Sequence, residues 1–237
     1  MTAQQPESDN FGPAPPRLDT YPSSRGISLR YGRVHVPDAR DRKYRLRVSA
    51  SARTSRYWRD DQWTGDQGDR SSCVGFAWKA YLTSSPVSQL KRLDPDGLYE
   101  LCKHRDEWQG ESYEGTSVRA GADVLKTLGL LSEYRWATTL DAVVNAVLEL
   151  GPMVVGTDWH EGMEEPDSEG VIHLTGDVLG GHAYLLTGVN TRRQLFRIRN
   201  SWGDDWGQSG RAWLSFADFR KLLRADGEAC RATEVKV

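Results

Sequence analysis

The chain changes character at Gly151-Pro152. Upstream of that break, helices are predicted at Ser72–Thr83, Pro95–His104, Ser117–Leu128 and Leu140–Leu150. Ser71 or Ser72 can cap the first, Pro86 lies beyond its end, and Gly129 stands where the third must stop. Within the first, VGFAWKAYL is apolar enough for a helix buried all round. Downstream of the break, MVVGTDW, HAYLLTGVN, LFRIRNSW, RAWLSF and ATEVKV are short, β-branched or aromatic runs separated by Gly, Asn and Asp turns. FADFRKLLR reads as one short helix among them. Helices first and strands afterwards predict an α+β fold of two lobes.

The chain's 237 residues suffice for one large domain or two small lobes around a shared core. Residues 1–26 are rich in Pro, Ser and polar residues and are predicted to form a disordered tail. Residues 27–62 read as an extended segment packing on the body's surface. The body is expected over 63–237, its helical lobe at about 63–150 and its β-rich lobe at about 151–237. A net charge of −2 without long runs of one sign gives no electrostatic support for nucleic-acid binding. No stretch is long and apolar enough to span a bilayer, and the start lacks the basic and apolar segments of a secretory leader. Three cysteines, Cys73, Cys102 and Cys230, do not read as a disulfide framework or a zinc set. The expectation is a cytoplasmic protein, with a Cys102–Cys230 bridge left open. Nothing in the sequence sets an oligomeric state.

Candidate chemistry sits in three blocks. In DQGDRSSCVGFAW, Cys73 stands at the first turn of the buried helix, where unpaired backbone N–H groups favour thiolate over thiol. Gln67, on the Gly-containing turn just upstream, could join the Cys73 N–H in donating to an oxyanion. In GGHAYLLTGVN, His182 opens a strand behind Gly180 and Gly181, which let another backbone or a substrate approach. In FRIRNSWGDDWGQSG, Asn200 ends a strand and could fix the histidine's tautomer, with Trp202 shielding that bond from water. Taken singly, each is ordinary: a buried thiol, a structural histidine, a turn asparagine. The acidic run His160–Gly170 lacks a calcium-loop pattern and reads as a solvated loop. His104 and His173 read as surface residues, and Trp63, Trp108, Trp136 and Trp159 as packing, with Trp159 able to face the cleft.

Together, Gln67-Gly68, Ser72-Cys73, Phe76-Ala77, Gly181-His182-Ala183 and Asn200-Ser201-Trp202-Gly203 resemble the signature blocks of the papain family of cysteine peptidases. The order Gln, Cys, His, Asn and the six-residue step from Gln67 to Cys73 are also the family's (73 − 67 = 6). The resemblance implies a two-lobed fold with a cleft between a helical and a β-barrel-like lobe. It implies Cys73 as nucleophile, His182 as base, Asn200 as orienting residue and Gln67 as oxyanion donor. It also makes Gly115, Thr116, Gly181 and Trp202 substrate-binding residues, with no cofactor or metal. Three departures stand out: Val74 where the family usually has Trp, Arg70 where it has a disulfide cysteine, and Gly181 where Asp often precedes the histidine. These, with an upstream region shorter than the family's long propeptide, suggest a divergent bacterial or phage-type member. Residues 26–48 could fold over the cleft and regulate access.

The implied activity is peptide-bond hydrolysis through a thioester, on a peptide or protein substrate, with no nucleic-acid or membrane partner. Two alternatives stay open: glutamine deamidation or transamidation by the same triad, and a non-catalytic papain-like binding module.

Overall fold

The computed structural model describes residues 20–22, 28–35, 43–61, 63, 65–88, 93–106 and 114–235. The expected disordered tail at 1–26 lies outside the described residues except at 20–22. There β1 (Thr20–Pro22) pairs antiparallel with β2 (Ser28–Arg30). The chain then runs through residues 31–35 and on to β3 (Ser55–Tyr57).

Three helices follow. α1 (Cys73–Thr83) has every residue buried, Lys79 included, as its nearly continuous apolar sequence requires. Its start differs from the expectation: neither serine caps it, and the Ser71 and Ser72 hydroxyls have no partner among the described residues. The N-terminal amides of α1 therefore face Cys73 without a competing side-chain acceptor. α2 (Pro95–Arg105) and α3 (Val118–Thr127) are capped conventionally, by Asp94 onto Gly97 N–H and by Ser117 onto Ala120 N–H. Gly75 lets α2 cross α1 closely, since a Cβ there would lie 2.2 Å from the Pro95 carbonyl oxygen. Arg70, where the family's disulfide cysteine would stand, instead reaches α2 through Asp96 at 3.3 Å and Glu100 at 3.2 Å.

β4 (Leu131–Trp136) follows α3, a strand that the helical reading of this half did not anticipate. α4 (Leu140–Glu149), capped by Thr139, leads into β5 (Met153–His160). Then come β6 (Val171–Ile172), β7 (Val178–Asn190), β8 (Leu195–Arg199), β9 (Arg211–Ser215), α5 (Phe216–Arg224) and β10 (Glu228–Val235). The sheet runs β4-β10-β5-β7-β8-β9-β6, with β3 added to β7. All its pairs are antiparallel except β6 with β9.

The period-two alternation of strands divides the core between the two faces of this sheet. Ala183 and Leu185 of β7, Val154 of β5 and Cys230 of β10 join α1–α3 in one cluster. Tyr184 and Leu186, Val155 and Ala229 join Trp159, Trp206, Phe219 and α4 in the other. The fold is thus α+β, with α1–α3 packed in one cluster and α4 and α5 in the other. β7 belongs to both: residue 182 starts the alternation on one face while residue 183 meets α1.

Candidate active site

Cys73 opens α1 and is fully buried. Backbone N–H groups of Ala183, Gly32 and Val74 act on its sulfur in the sense that favours the thiolate. The Ala183 contact places the sulfur beside the residue that follows His182. That contact exists because β7 turns Ala183 toward α1 while the neighbouring His182 side chain faces the aromatic cluster.

His182 Nε2 lies 2.7 Å from Asn200 Oδ1. The same oxygen accepts the Ser201 N–H at 2.8 Å. A backbone N–H needs an acceptor, so the atom is the amide oxygen, and His182 Nε2 must be the donor. Neutral His182 then carries its lone pair on Nδ1, which is buried and has no partner among the described residues. Three indole and phenol rings fix the imidazole plane. Trp159 stands edge-on with ring centroids 4.8 Å apart, Trp202 lies tilted at 5.0 Å, and Tyr184 stacks at 6.3 Å. Trp202 is 7% exposed and shields the His182–Asn200 bond.

Gln67 is buried against the same loop. Its N–H donates to Ser201 O at 2.9 Å, the Ser201 hydroxyl donates to Oε1 at 2.6 Å, and Nε2 donates to Arg70 O at 2.6 Å. Gly203 N–H to Gly65 O and the Asp66–Trp202 bridge complete this seam. The turn before Cys73 and the turn after Asn200 are therefore one structural unit, and it carries the Gln67 amide.

The segment Tyr31–Val34 runs straight across this site. Where an extended surface segment was expected, Tyr31, Gly32, Arg33 and Val34 are all buried. Arg33 N–H donates to Gly181 O at 2.9 Å. Thr116 N–H donates to Gly32 O at 2.8 Å, and Val34 N–H donates to Thr116 O at 2.9 Å, a parallel bridge between Arg33 and Thr116. Gly115, at φ 97°, leads into that edge, and its N–H is held by the Tyr99 hydroxyl. Tyr31 packs edge-on to both His182 and Trp202, and its hydroxyl donates to Glu164. Arg33 extends the other way to Glu228. We call residues 31–34 the strap.

Under the strap both ionisable groups are held neutral. Burial pushes the Cys73 thiol up to about 11, against the milder pull of the amides and of Arg33. Burial pushes His182 down to about 4, with the Asn200 bond acting weakly in the opposite sense. The thiolate that the helix start was expected to favour is thus opposed in the closed site by burial. The Gly32 amide also occupies the sulfur, and what the strap offers there is an N–H, not a carbonyl carbon.

Sequence reasoning missed Tyr31, Arg33, Glu164 and Glu228, and placed the Glu164 loop in solvent. No motif marks these residues, which meet only across the fold. Trp159 was the one packing tryptophan suspected of a place near the cleft, and it lies against the imidazole. Cys102 and Cys230 are buried and not joined in a disulfide. Among the described residues no group of three or more His, Cys, Asp or Glu could hold a metal.

Cys73 at the start of a buried helix and the His182–Asn200 pair on the strand-rich layer make up the candidate site. The chain matches the papain family cysteine protease model over residues 106–224, half its length, and it belongs to that family. That match takes in His182 and Asn200. It is 32% identical over 106 residues to cathepsin B-like cysteine proteinase 3 of Ostertagia ostertagi, covering 44% of this chain and 56% of the relative. A cathepsin B-like cysteine proteinase of Schistosoma japonicum is 35% identical over 66 residues, 27% of this chain and 19% of that protein. The chain thus matches about half, or less, of the length of these curated relatives. Xylellain, a cysteine protease from Xylella fastidiosa, has the same fold (TM-score 0.73, 18% identity), covering 92% of this chain and 98% of its own. So does digestive procathepsin L 3 of Tenebrio molitor larval midgut (TM-score 0.60, 16% identity, 82% and 75% covered). Among the described residues no helix is long and apolar enough to cross a membrane.

Proposed function

We propose that this protein is a cysteine-type endopeptidase held in a closed, latent form by its own strap. Cys73 is the nucleophile, His182 the general base, Asn200 the orienting residue and Gln67 the oxyanion donor. Gly115, Thr116, Gly181 and Trp202 line the substrate cleft. The observation that carries this reading is the bonding of Asn200 Oδ1, which leaves the His182 base lone pair on Nδ1, the nitrogen turned away from Asn200.

When the strap lifts, water enters and the burial that holds both groups neutral is relieved. Proton transfer from Cys73 to His182 Nδ1 then gives a thiolate and an imidazolium, each favouring the other's charge. The thiolate attacks a peptide carbonyl carbon, and the carbonyl electrons move to an oxyanion held by the Cys73 N–H and Gln67. One such donor is typically worth about 2.7–4 kcal/mol of barrier. His182 protonates the leaving amine, then takes a proton from the water that hydrolyses the thioester. The main-chain edges at Gly181 and Thr116, now paired with the strap, are the surfaces a peptide would use instead. Three cysteines outside any disulfide support a reducing compartment, the cytoplasm.

The test is alkylation of each cysteine from about pH 4 to 9, read by peptide mapping, in wild type and in Tyr31→Ala. Cys73 should be protected in wild type. In Tyr31→Ala it should react well below the usual thiol range of about 8.5, and adding His182→Ala should remove that advantage. A Cys73 that titrates like Cys102 and Cys230 once exposed would overturn the peptidase reading in favour of a binding module.

A further inference from the structure

Between Asp41 and Asp60 the sequence holds no acidic residue, yet residues 43–59 carry Lys43, Arg45, Arg47, Arg53, Arg56 and Arg59. The whole-chain charge of −2 averages this segregation away. Beyond the strap, this stretch crosses the body as an extended belt. Leu46 N–H donates to Trp136 O and Trp136 N–H to Tyr44 O, which fixes the belt to β4. On α4, Ser51 N–H donates to Asn145 Oδ1, and Trp58 Nε1 donates to Val147 O. β3, within the belt, pairs with β7. Leu46 and Trp58 are its buried anchors, and the period-two alternation turns their neighbours Arg45, Arg47, Tyr57 and Arg59 outward.

The β7–β8 turn adds to this face. Thr191 donates through its N–H and Oγ1 to Thr54 O, which brings exposed Arg192 and Arg193 beside the belt. Arg53 pairs with Glu149, which Arg56 also attracts, and Arg59 pairs with Asp61. Arg45, Arg47, Arg192 and Arg193 form no ion pair among the described residues. Aromatic rings stand between these cations. The strand register sets Tyr57, Gly188, Arg197 and Trp213 in one row across β3, β7, β8 and β9. Tyr57, 43% exposed, leans over Gly188, where a Cβ would lie 2.4 Å from its Cδ1. Half-buried Trp213 stands edge-on to it, with ring centroids 5.8 Å apart. The Arg197 and Arg193 guanidinium groups lie 5.4 and 5.5 Å from the Tyr57 and Trp213 rings.

We propose that this face binds single-stranded nucleic acid, its unpaired arginines taking phosphates while Tyr57 and Trp213 stack bases. Cations spaced along an anchored, extended backbone suit the repeating charge of a phosphodiester chain. The ring pair favours a single strand over a duplex, a sulfated polysaccharide or a lipid surface, because only unpaired bases bring flat π-faces to it. None of these residues belongs to the site around Cys73, so the surface stands or falls independently of the peptidase reading.

The experiment titrates the full chain into a fluorescent oligo-dT of about twenty nucleotides and reads anisotropy at salt from about 50 to 200 mM. The same oligonucleotide as a duplex, a heparin fragment and anionic vesicles run beside it. The strand should bind at least about tenfold more tightly than the duplex. Arg192→Glu with Arg193→Glu should weaken binding at least about tenfold and flatten its dependence on salt, as should Arg45→Glu with Arg47→Glu. Tyr57→Leu should weaken it about tenfold and leave the salt slope unchanged, the mark of a lost stacking contact. Thermal unfolding checks that each variant folds. No binding at the lowest salt overturns the proposal. Duplex, heparin or vesicles bound as tightly as the strand, or a strand affinity indifferent to Tyr57→Leu, overturns it too and leaves a general anion-attracting face.

Discussion

On the β7–β8 side of Cys73 the contacts fix an imidazole and its tautomer, whereas on the strap side they cover the sulfur. Asn200 sets the His182 tautomer, and Trp159 and Trp202 hold the ring. Across the sulfur, Gly32 supplies an amide, Tyr31 seals the aromatic side, and Arg33 fills the acidic side. The first set is short-range chemistry mounted on rigid strands. The second is one extended segment held at two unlike anchors, an aromatic contact and an ion pair. The difference teaches that the two sides can be tested apart: in the proposed reading, reactivity is built into the scaffold and silence is added by the strap.

The largest expected effect removes the reactive half. Cys73→Ala should lower peptide turnover by at least about four orders of magnitude, because residues acting as one unit fail together. Its melting should change by only about 1 kcal/mol, since a small buried side chain replaces another. Residual turnover near wild type, measured on purified folded protein, would break the first side of the comparison.

The next effect removes the silent half at its aromatic anchor. Tyr31 is fully buried, and truncating a buried aromatic costs about 3 kcal/mol or more, roughly a hundredfold in an equilibrium. Tyr31→Ala should therefore raise turnover of short peptides by up to about a hundredfold at neutral pH while slightly lowering the melting temperature. A variant no more active than wild type would show that the strap is not what restrains Cys73.

The two halves also differ in how far the sequence discloses them. Cys73, His182 and Asn200 announce themselves because each stands in a local pattern: a helix start, a strand behind two glycines, an Asn-Ser-Trp-Gly turn. The helices α1 to α4 were equally legible, α1, α3 and α4 from apolar positions ended by proline or glycine and α2 as a helix opened by Pro95. β4 was not. LSEYRW lies among helices and becomes a strand only by pairing with β10, about a hundred residues on. A segment within 26–48 able to fold over the cleft was read from the sequence, but the contacts of the strap were hidden for the same reason. Tyr-Gly-Arg-Val carries no periodic signal, and its anchors Glu164 and Glu228 lie 133 and 195 residues downstream. Composition marks Glu164 as part of a solvated acidic loop, and only tertiary folding brings it to the Tyr31 hydroxyl. The missing serine cap at α1 is similar: Ser72 has the right residue type, yet its φ −95° and ψ 15° are not the extended geometry that capping needs.

The smallest expected effect is the pH dependence of closure, and its sign follows from burial. In the closed form His182 is held at about 4, below its ordinary 6.5, so the open form binds the extra proton. Closure is therefore fully favoured above about 6.5 and weakens as pH falls from 6.5 toward 4, by up to roughly tenfold per unit. Cys73 acts at the other limit. Held at about 11 against an ordinary 9.0, it loses its proton more readily when open, so closure weakens again as pH rises from 9 to 11. Between those limits burial keeps both partners neutral, against the weaker opposite pull of Asn200 on His182 and of Arg33 on Cys73, with the Tyr31 ring packed against the imidazole. Hydrogen exchange at the Arg33, Val34 and Thr116 amides, corrected for the intrinsic rate, should accordingly be slowest between about pH 6.5 and 9 and faster on either side. Acid would then release the strap while Asn200 still holds the imidazole, so the two sides of Cys73 would separate under pH alone. A flat exchange profile would mean that burial of the pair and docking of the strap are independent, and the coupling drawn between the two regions would fail.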